Sequence, residues 1–225
     1  MENLHFKLYD HLLQFSLFQG LSRSEMLQLA GNTKFGFTKI AAKKLVIKAD
    51  SPCMQLLFLV GGQLSVRSRS VDGSYSIVET LSAPWLAQPE ALFGSSPRYT
   101  LSATTFTECH FITLSKEEVL RLADDILTVR LNLLNMFTTQ VQRRALIPWR
   151  RPLTTLRERF VRFVADHCVY PAGRKELHIL MPRMATELCC SRNDVSAMLN
   201  QLQSDGLLVL HRGRIEVPLL EALSM

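Results

Sequence analysis

The stretch from Met181 to Val217 leaves the chain the fewest ways to fold. Met184, Ala185 and Leu188 recur at the three-and-four spacing of one helical face, and Val195, Met198, Leu199 and Leu202 do so again further on. Between them Cys189-Cys190-Ser191 is too short for a loop of its own but long enough for the tight turn that sets two short helices at a steep angle. Ser191 stands where a cap is needed, its hydroxyl able to accept from a first-turn N–H that has no intrahelical partner. Gly206 supplies a stop for the second helix. Leu207-Leu208-Val209-Leu210 and Ile215-Glu216-Val217 then flank His211-Arg212-Gly213-Arg214, which reads as a β-hairpin with a basic tip. The expected unit is a helix-turn-helix followed by a small β-wing.

The residue types on this frame suit double-stranded DNA. Arg192, Asn193 and Ser196 project from the opening turns of the second helix. Arg can bond guanine O6 and N7 together, and Asn can bond adenine N6 and N7. Two packed helices and a hairpin with a purely structural role would account for any one of these features. The short turn, the capped second helix, its leading Arg and the Arg-Gly-Arg wing together favour a DNA reader, with Ser191, Arg192, Asn193, Ser196, Arg212 and Arg214 as its contact residues.

The charge balance agrees in sign. The formal net charge of +6 favours an anionic partner, and its distribution says more than its total. Arg143, Arg144, Arg150, Arg151, Arg157, Arg159 and Arg162 crowd a segment in which Glu158 is the only acid. Phosphate contacts are one use for such a cluster, and a solvated helix face is the other. The N-terminal residues MENLHFKLYDHLLQF are interrupted by Glu2, Lys7 and Asp10, unlike a signal peptide, and the apolar run Leu56–Val60 is far shorter than the roughly 20 residues of a membrane span. A cytoplasmic protein with no membrane partner is expected. Five cysteines are an odd number for a disulfide framework, and none form a C-x-x-C pair, so small buried hydrophobes are the expected role for most of them.

Upstream of the helix-turn-helix the hydrophobic period changes twice. Ser22 and Glu25 form a capping-box pattern opening a short helix. From about Phe35, short β-prone runs follow at 44–47, 56–60, 63–68, 76–81, 99–103 and 109–114, separated by Gly61-Gly62, Asp72-Gly73 and Ser95-Ser96-Pro97. Antiparallel strands at this spacing suggest a jelly roll or sandwich. Ser115 and Glu118 repeat the capping-box pattern, after which Leu127, Leu131, Leu134, Thr138, Val141 and Ala145 alternate steps of four and three, the seam of a two-stranded coiled coil. The run ends at Ile147-Pro148. The alternative is one helix packed on its own β-domain without a partner. Leu156, Phe160, Phe163 and Val164 mark a further amphipathic helix, and Leu177–Leu180 a short strand, which completes a winged helix. The fold class is α+β: an N-terminal antiparallel β-roll with helices over 1–115, a long dimerisation helix over 116–149 and a C-terminal winged helix over 150–225. Leu127, Leu131, Leu134, Thr138 and Val141 are the candidate dimerisation residues.

This order of elements resembles the Crp/Fnr family of bacterial transcription regulators across essentially the whole chain. The matching stretches are Phe18-Gln19-Gly20-Leu21-Ser22, Leu57 to Val66 in the roll, Leu156-Arg157-Glu158-Arg159-Phe160, the helix-turn-helix residues and the wing at Gly206-Leu207 and Arg212-Gly213-Arg214-Ile215. The resemblance implies a non-enzymatic homodimer on a near-palindromic site, with half-sites about 34 Å apart, an effector sensed by the roll, and RNA polymerase as a further partner. Members that bind cyclic AMP carry a Gly-Glu pair and then an Arg followed by a small hydroxyl residue. Here the corresponding stretch is Trp85-Leu86-Ala87-Gln88-Pro89-Glu90 and Ser96-Pro97-Arg98-Tyr99. Proline in place of glycine removes a backbone N–H and the freedom for close approach to a phosphate, which argues against cyclic AMP. Glu90, Arg98 and Tyr99 remain the candidate effector pocket, with Glu90 and Arg98 expected to pair with each other. The iron–sulfur branch needs clustered N-terminal cysteines, and only Cys53 lies in the first hundred residues, so no thiolate-ligated cluster is expected; six scattered histidines leave haem open, although a lone His is usually a surface or core residue, and no cofactor or metal is assigned. Where family members often carry Glu and a later Arg in the reading helix, this chain has Asn193 and Ala197, which implies a different, less guanine-rich half-site. Two other readings stay open: a winged helix used for protein contacts, and a cupin-like metal enzyme, for which His110 is the only histidine in the strand region.

Overall fold

The computed structural model describes residues 8–224. These residues form two compact units, one of residues 8–64, 82–100 and 105–150, the other of residues 65–81, 101–104 and 151–224. Strands 65–81 and 101–104, which the sequence pattern puts in the N-terminal roll, therefore belong to the same unit as the winged helix.

In the first unit, β1 (Gly36–Ile40), β3 (Gln55–Gly61), β6 (Trp85–Leu86) and β8 (Cys109–Ser115) make a sheet in the order β1-β8-β3-β6, antiparallel throughout. β2 covers Leu45–Ile47. The central strand β3 buries Leu56, Leu57, Phe58 and Leu59 in succession, so both of its faces are covered and its apolar run shows no alternation. Phe15 and Phe18 pack on Phe58 at ring distances of 4.9 and 5.6 Å. β1 and β6 were not expected from the sequence. β1 exposes three successive residues and β6 has only two, so neither carries the alternation that marks a strand.

The capping box at Ser22 forms as expected and opens α1 (Arg23–Asn32). Ser115 opens α2 (Lys116–Asp125) by accepting from the Glu118 N–H, but the reciprocal bond is replaced: the Glu118 carboxylate goes to Arg121 and to the Lys34 N–H. The single long helix expected over 116–149 is two helices. Ile126 is extended and buried, and α3 (Leu127–Ala145) starts after it. Asp124 and Asp125 lie at the C-terminal end of α2, where negative charge opposes the helix dipole. Arg130 of α3 donates to the carbonyls of Ala123 and Asp124 and satisfies that end. α3 buries Val129 and Leu133, and Asn132 donates to the Leu17 and Gln19 carbonyls.

The second unit contains β4 (Gln63–Arg69), β5 (Ser76–Ser82), β7 (Leu101–Thr105), β9 (Lys175–His178), β10 (Val209–His211) and β11 (Arg214–Val217), ordered β10-β11-β9-β5-β4-β7. The three strands of the winged helix thus continue directly into β5, through antiparallel pairing of 76–79 with 175–178. One core serves both. Ile77 and Tyr75 join Phe160, Val164, Leu177, Met184, Val195, Leu199, Leu202, Ile215 and Val217. Within it Lys175 and Glu79 form an ion pair of 2.9 Å, each side chain 1% exposed. The Glu79 carboxylate also accepts from the Val169 and Tyr170 N–H groups at 2.6 and 3.2 Å. Buried charges persist only with such complete pairing.

Candidate nucleic-acid interface and effector region

Leu156–Asp166 forms α4, Met181–Glu187 forms α5 and Arg192–Ser204 forms α6. The turn between α5 and α6 is built from backbone up. The Cys189 N–H donates to Thr186 O and the Cys190 N–H to Ala185 O, the paired bonds of a Schellman ending. That ending requires a left-handed residue, and Cys189 takes the position with φ of 50°, where glycine is usual. Arg159 of α4 donates to the Leu188 and Cys189 carbonyls at 2.7 and 3.2 Å and locks the turn. Ser191 then caps α6 by accepting from the Asp194 N–H at 3.1 Å, and the Asp194 carboxylate returns to the Ser191 N–H and hydroxyl. This capping box is closed by Asp194, a residue that the sequence reading did not single out.

Val195, Leu199 and Leu202 fix the inner face of α6 in the core. Arg192, Asn193 and Asp194 are exposed on its first turn, and Ser196 is half-buried behind them. Asn200 is exposed one turn beyond Ser196 and Ala197 and continues the polar face. It was missed because an amide late in a helix has no local signal; its spacing of seven from Asn193 is the one that would have found it. The Ser191 hydroxyl, by contrast, is committed to Asp194.

The wing turns tightly at Arg212 and Gly213, with Gly213 at φ of 72° and His211 opposite Arg214. Its two arginines are not equivalent. Arg212 is exposed and makes no ion pair among the described residues. Arg214 is held at 2.9 Å by Glu216 and lies 3.8 Å from Glu176, so the free cation expected there is neutralised by acids on its own sheet. A cleft of about 230 Å³ lies between wing and reading helix, lined by Arg192, His211 and Gly213 among others. The arginine-rich segment is also largely committed. Arg151 pairs with Glu158 at 3.1 Å, Arg157 donates to Leu223 O, and Arg162 donates to Arg151 O. Glu158 accepts from the Thr155 and Thr154 N–H groups and the Thr154 hydroxyl, and these bonds, with Arg151, bring its pKa down to about 2.

Along α3, Leu127, Leu131, Leu134 and Val141 are 49 to 67% exposed, and Thr138 and Ala145 are exposed too. The stripe is an apolar face interrupted by Thr138, opposite the one that Val129 and Leu133 bury.

Glu90, Arg98 and Tyr99 do not converge. Arg98 donates to the Asp50 carbonyl, Glu90 accepts from Gln140 at 3.3 Å, and Tyr99 is buried with its hydroxyl on Gln55 O at 3.3 Å. The expected Glu90–Arg98 pair is therefore absent among the described residues. Burial, followed by hydrogen bonding of the Tyr99 hydroxyl to the Cys53 sulfur, pushes the Tyr99 pKa up. Gln88 closes the loop further, donating to Thr100 Oγ1 at 2.6 Å and accepting from the Thr100 N–H at 2.9 Å. Among the described residues, no three metal-binding side chains stand together, and no helix is long and apolar enough to cross a membrane.

Residues 37–125 match the family model of the cyclic nucleotide-binding domain. No curated protein sequence matches the chain. Among solved structures, Thermus thermophilus catabolite activator protein aligns over 93% of this chain and 97% of its own, at 19% identity and a TM-score of 0.51. The sensor domain of the transcriptional regulator DNR from Pseudomonas aeruginosa aligns over 69% of this chain and all of its own, at 18% identity and a TM-score of 0.54. The chain thus has the fold of catabolite activator protein, and the match to the cyclic nucleotide-binding domain model falls on residues 37–125 of it.

Proposed function

We propose that this protein is a sequence-specific DNA-binding transcription regulator, not an enzyme, acting in the cytoplasm as a homodimer on a near-palindromic site. The observation that carries the reading is the first turn of α6: a rigidly capped helix start that presents Arg192 and Asn193 to solvent, next to a wing whose Arg212 has no ion pair among the described residues. Arg192 and Asn193 read base edges, joined by Ser196 and Asn200, while Arg212 meets a phosphate. Ser191 acts through the cap, by fixing the direction of the helix start. Arg214 shapes the wing through Glu216.

The exposed α3 stripe of Leu127, Leu131, Leu134, Thr138 and Val141 joins two copies, since a soluble helix does not leave such a face in water without cause. In this reading residues 1–115 sense, 116–149 dimerise through α3 and 150–225 bind DNA, with RNA polymerase a further partner. The effector is not cyclic AMP. Arg98, the only cation of the cassette, faces the Asp50 carbonyl, Pro89 lacks the N–H that a phosphate needs, and Gln88 and Thr100 close the loop on each other. Selection from a random duplex pool tests the proposal. Enrichment of an inverted repeat with half-sites about one helical turn apart is the expected result. No enrichment, with or without added metabolite extract, would transfer the winged helix to protein contacts.

A further inference from the structure

His211 stands on β10 at the base of the wing turn, opposite Arg214 of β11. Its ring lines the cleft between wing and reading helix together with Arg192 of α6 and Arg214. The other lining residues are apolar or glycine, and no acid is among them. The His211 side chain is 40% exposed, so an anion arriving from solvent can reach the ring.

Behind the ring lies a set of charges that balance one another. Glu216 Oε1 meets Arg214 at 2.9 Å and His211 Nε2 at 3.3 Å, while Glu216 Oε2 meets Arg174 at 3.3 Å. On β9, Glu176 lies 2.7 Å from His178 and 3.8 Å from Arg214. Two arginines thus face two carboxylates, and the charges cancel while both imidazoles are neutral. Arg192 across the cleft and Arg212 at the turn make no ion pair among the described residues. A neutral imidazole has a single N–H. With Nε2 turned to Glu216, that proton serves the carboxylate and leaves Nδ1 as an acceptor, which a phosphate oxygen cannot bond. A protonated ring has a donor for each anion, Nε2 for Glu216 and Nδ1 for a phosphate.

We infer that His211 is a phosphate-binding residue of the wing and takes up a proton when the cleft meets the DNA backbone. This rests on the reading of the winged helix as a DNA binder. The phosphate supplies the negative charge that favours the protonated ring, against repulsion from Arg192, Arg212 and Arg214 in the free chain. Histidine is the side chain that changes charge between pH 5 and 8, so binding is proton-linked in the physiological range. A ring that holds its proton more tightly in the complex adds affinity at low pH and loses that gain as pH rises. His178 does not line the cleft and has Glu176 at contact distance in the free chain, so it contributes no such linkage.

The test is fluorescence anisotropy of the full chain with a rhodamine-labelled duplex of random sequence, at pH 6 and pH 8 over a series of salt concentrations. Expected is binding about tenfold tighter at pH 6, the worth of one charge-assisted contact. The slope of log affinity against log salt should also be steeper by about 0.9 at the lower pH, as for one more neutralised phosphate. His211→Gln, at an exposed position of the edge strand β10, is expected to match the wild type at pH 8 and to lose both changes. His178→Gln is expected to retain them. Duplex binding without pH dependence, or the same pH dependence in His211→Gln, would overturn the proton linkage and leave the DNA reading in place. No duplex binding at either pH would overturn both.

Discussion

Removing one partner of the Glu79–Lys175 pair should loosen the join between β5 and β9. Both side chains are 1% exposed and their charged atoms stand 2.9 Å apart. In Lys175→Met the Glu79 carboxylate keeps only the Val169 and Tyr170 N–H groups, so a charge remains buried with no countercharge at contact distance. Breaking a buried pair in this way costs about 3–5 kcal/mol. Glu79→Leu strands the Lys175 ammonium and also leaves two amides without their acceptor, so its cost sits at the upper end of that range. The double variant Glu79→Leu/Lys175→Met removes both charges and substitutes apolar volume. Its remaining cost is the two amides, about 1–3 kcal/mol each, offset by the desolvation no longer incurred. The double variant should therefore be less destabilised than either single one, a strongly non-additive cycle. Amide hydrogen exchange over 175–178 and 76–79, read beside urea unfolding by circular dichroism, reports on this join directly. A cost below about 1 kcal/mol for Lys175→Met, or simple additivity in the cycle, would refute the reasoning by showing that water reaches the pair.

Arg192→Ala should lower affinity for the selected site by about 1–3 kcal/mol and relax the preference at one base position, measured by binding to single-substituted duplexes. Arg212→Ala should weaken binding to all sequences and reduce the salt slope by about 0.9, whereas Arg214→Ala, already neutralised by Glu216, should change the slope less. Leu131→Glu with Leu134→Glu should yield monomers in sedimentation equilibrium with unchanged circular dichroism, because both side chains are exposed in the single chain. Cys189→Gly should stabilise the winged helix by about 1 kcal/mol in thermal unfolding, by relieving the left-handed backbone at the helix turn. The Cys168 thiol, pushed up to about 12 by burial and then by the Glu79 charge, stays protonated below that pH; mass-spectrometric labelling at pH 8 should modify exposed Cys189 and spare Cys168, which becomes reactive only as pH rises towards 12.

The helix-turn-helix was legible because its determinants are local. The spacing of Met184, Leu188, Val195, Leu199 and Leu202, the cap at Ser191 and the Arg212-Gly213 turn each lie within a few residues of what they shape. Six strands could be read from apolar runs for the same reason. What was not legible depends on distant partners. Nothing near Glu79 announces Lys175, 96 positions away, so the extension of the wing sheet into β5 has no sequence signature. The break at Ile126 is hidden inside a helical pattern, since it depends on Arg130 reaching back to the carbonyls of α2. The effector residues failed differently. Glu90 and Arg98 were placed by resemblance to a phosphate cassette, but their side chains settle on Gln140 and Asp50, because the loop that would bring them together is closed by Gln88 and Thr100.

The same distinction bears on how this protein would hold DNA. Counted along the sequence, the arginines from 143 to 162 and those of the wing form a strong basic field. In three dimensions much of that charge is structural: Arg159 locks the helix turn, Arg151 pairs with Glu158, Arg157 holds the Leu223 carbonyl and Arg214 is neutralised by Glu216. These guanidiniums keep their charge and part of their five N–H donors, but their protein partners fix the direction in which those donors point. In the proposed function the α6 residues and Arg212, which makes no ion pair among the described residues, would carry the contacts least constrained by partners within the chain. Discrimination between sites would then rest on how firmly the start of α6 is aimed, and the Ser191–Asp194 box and Arg159 behind the turn fix that direction.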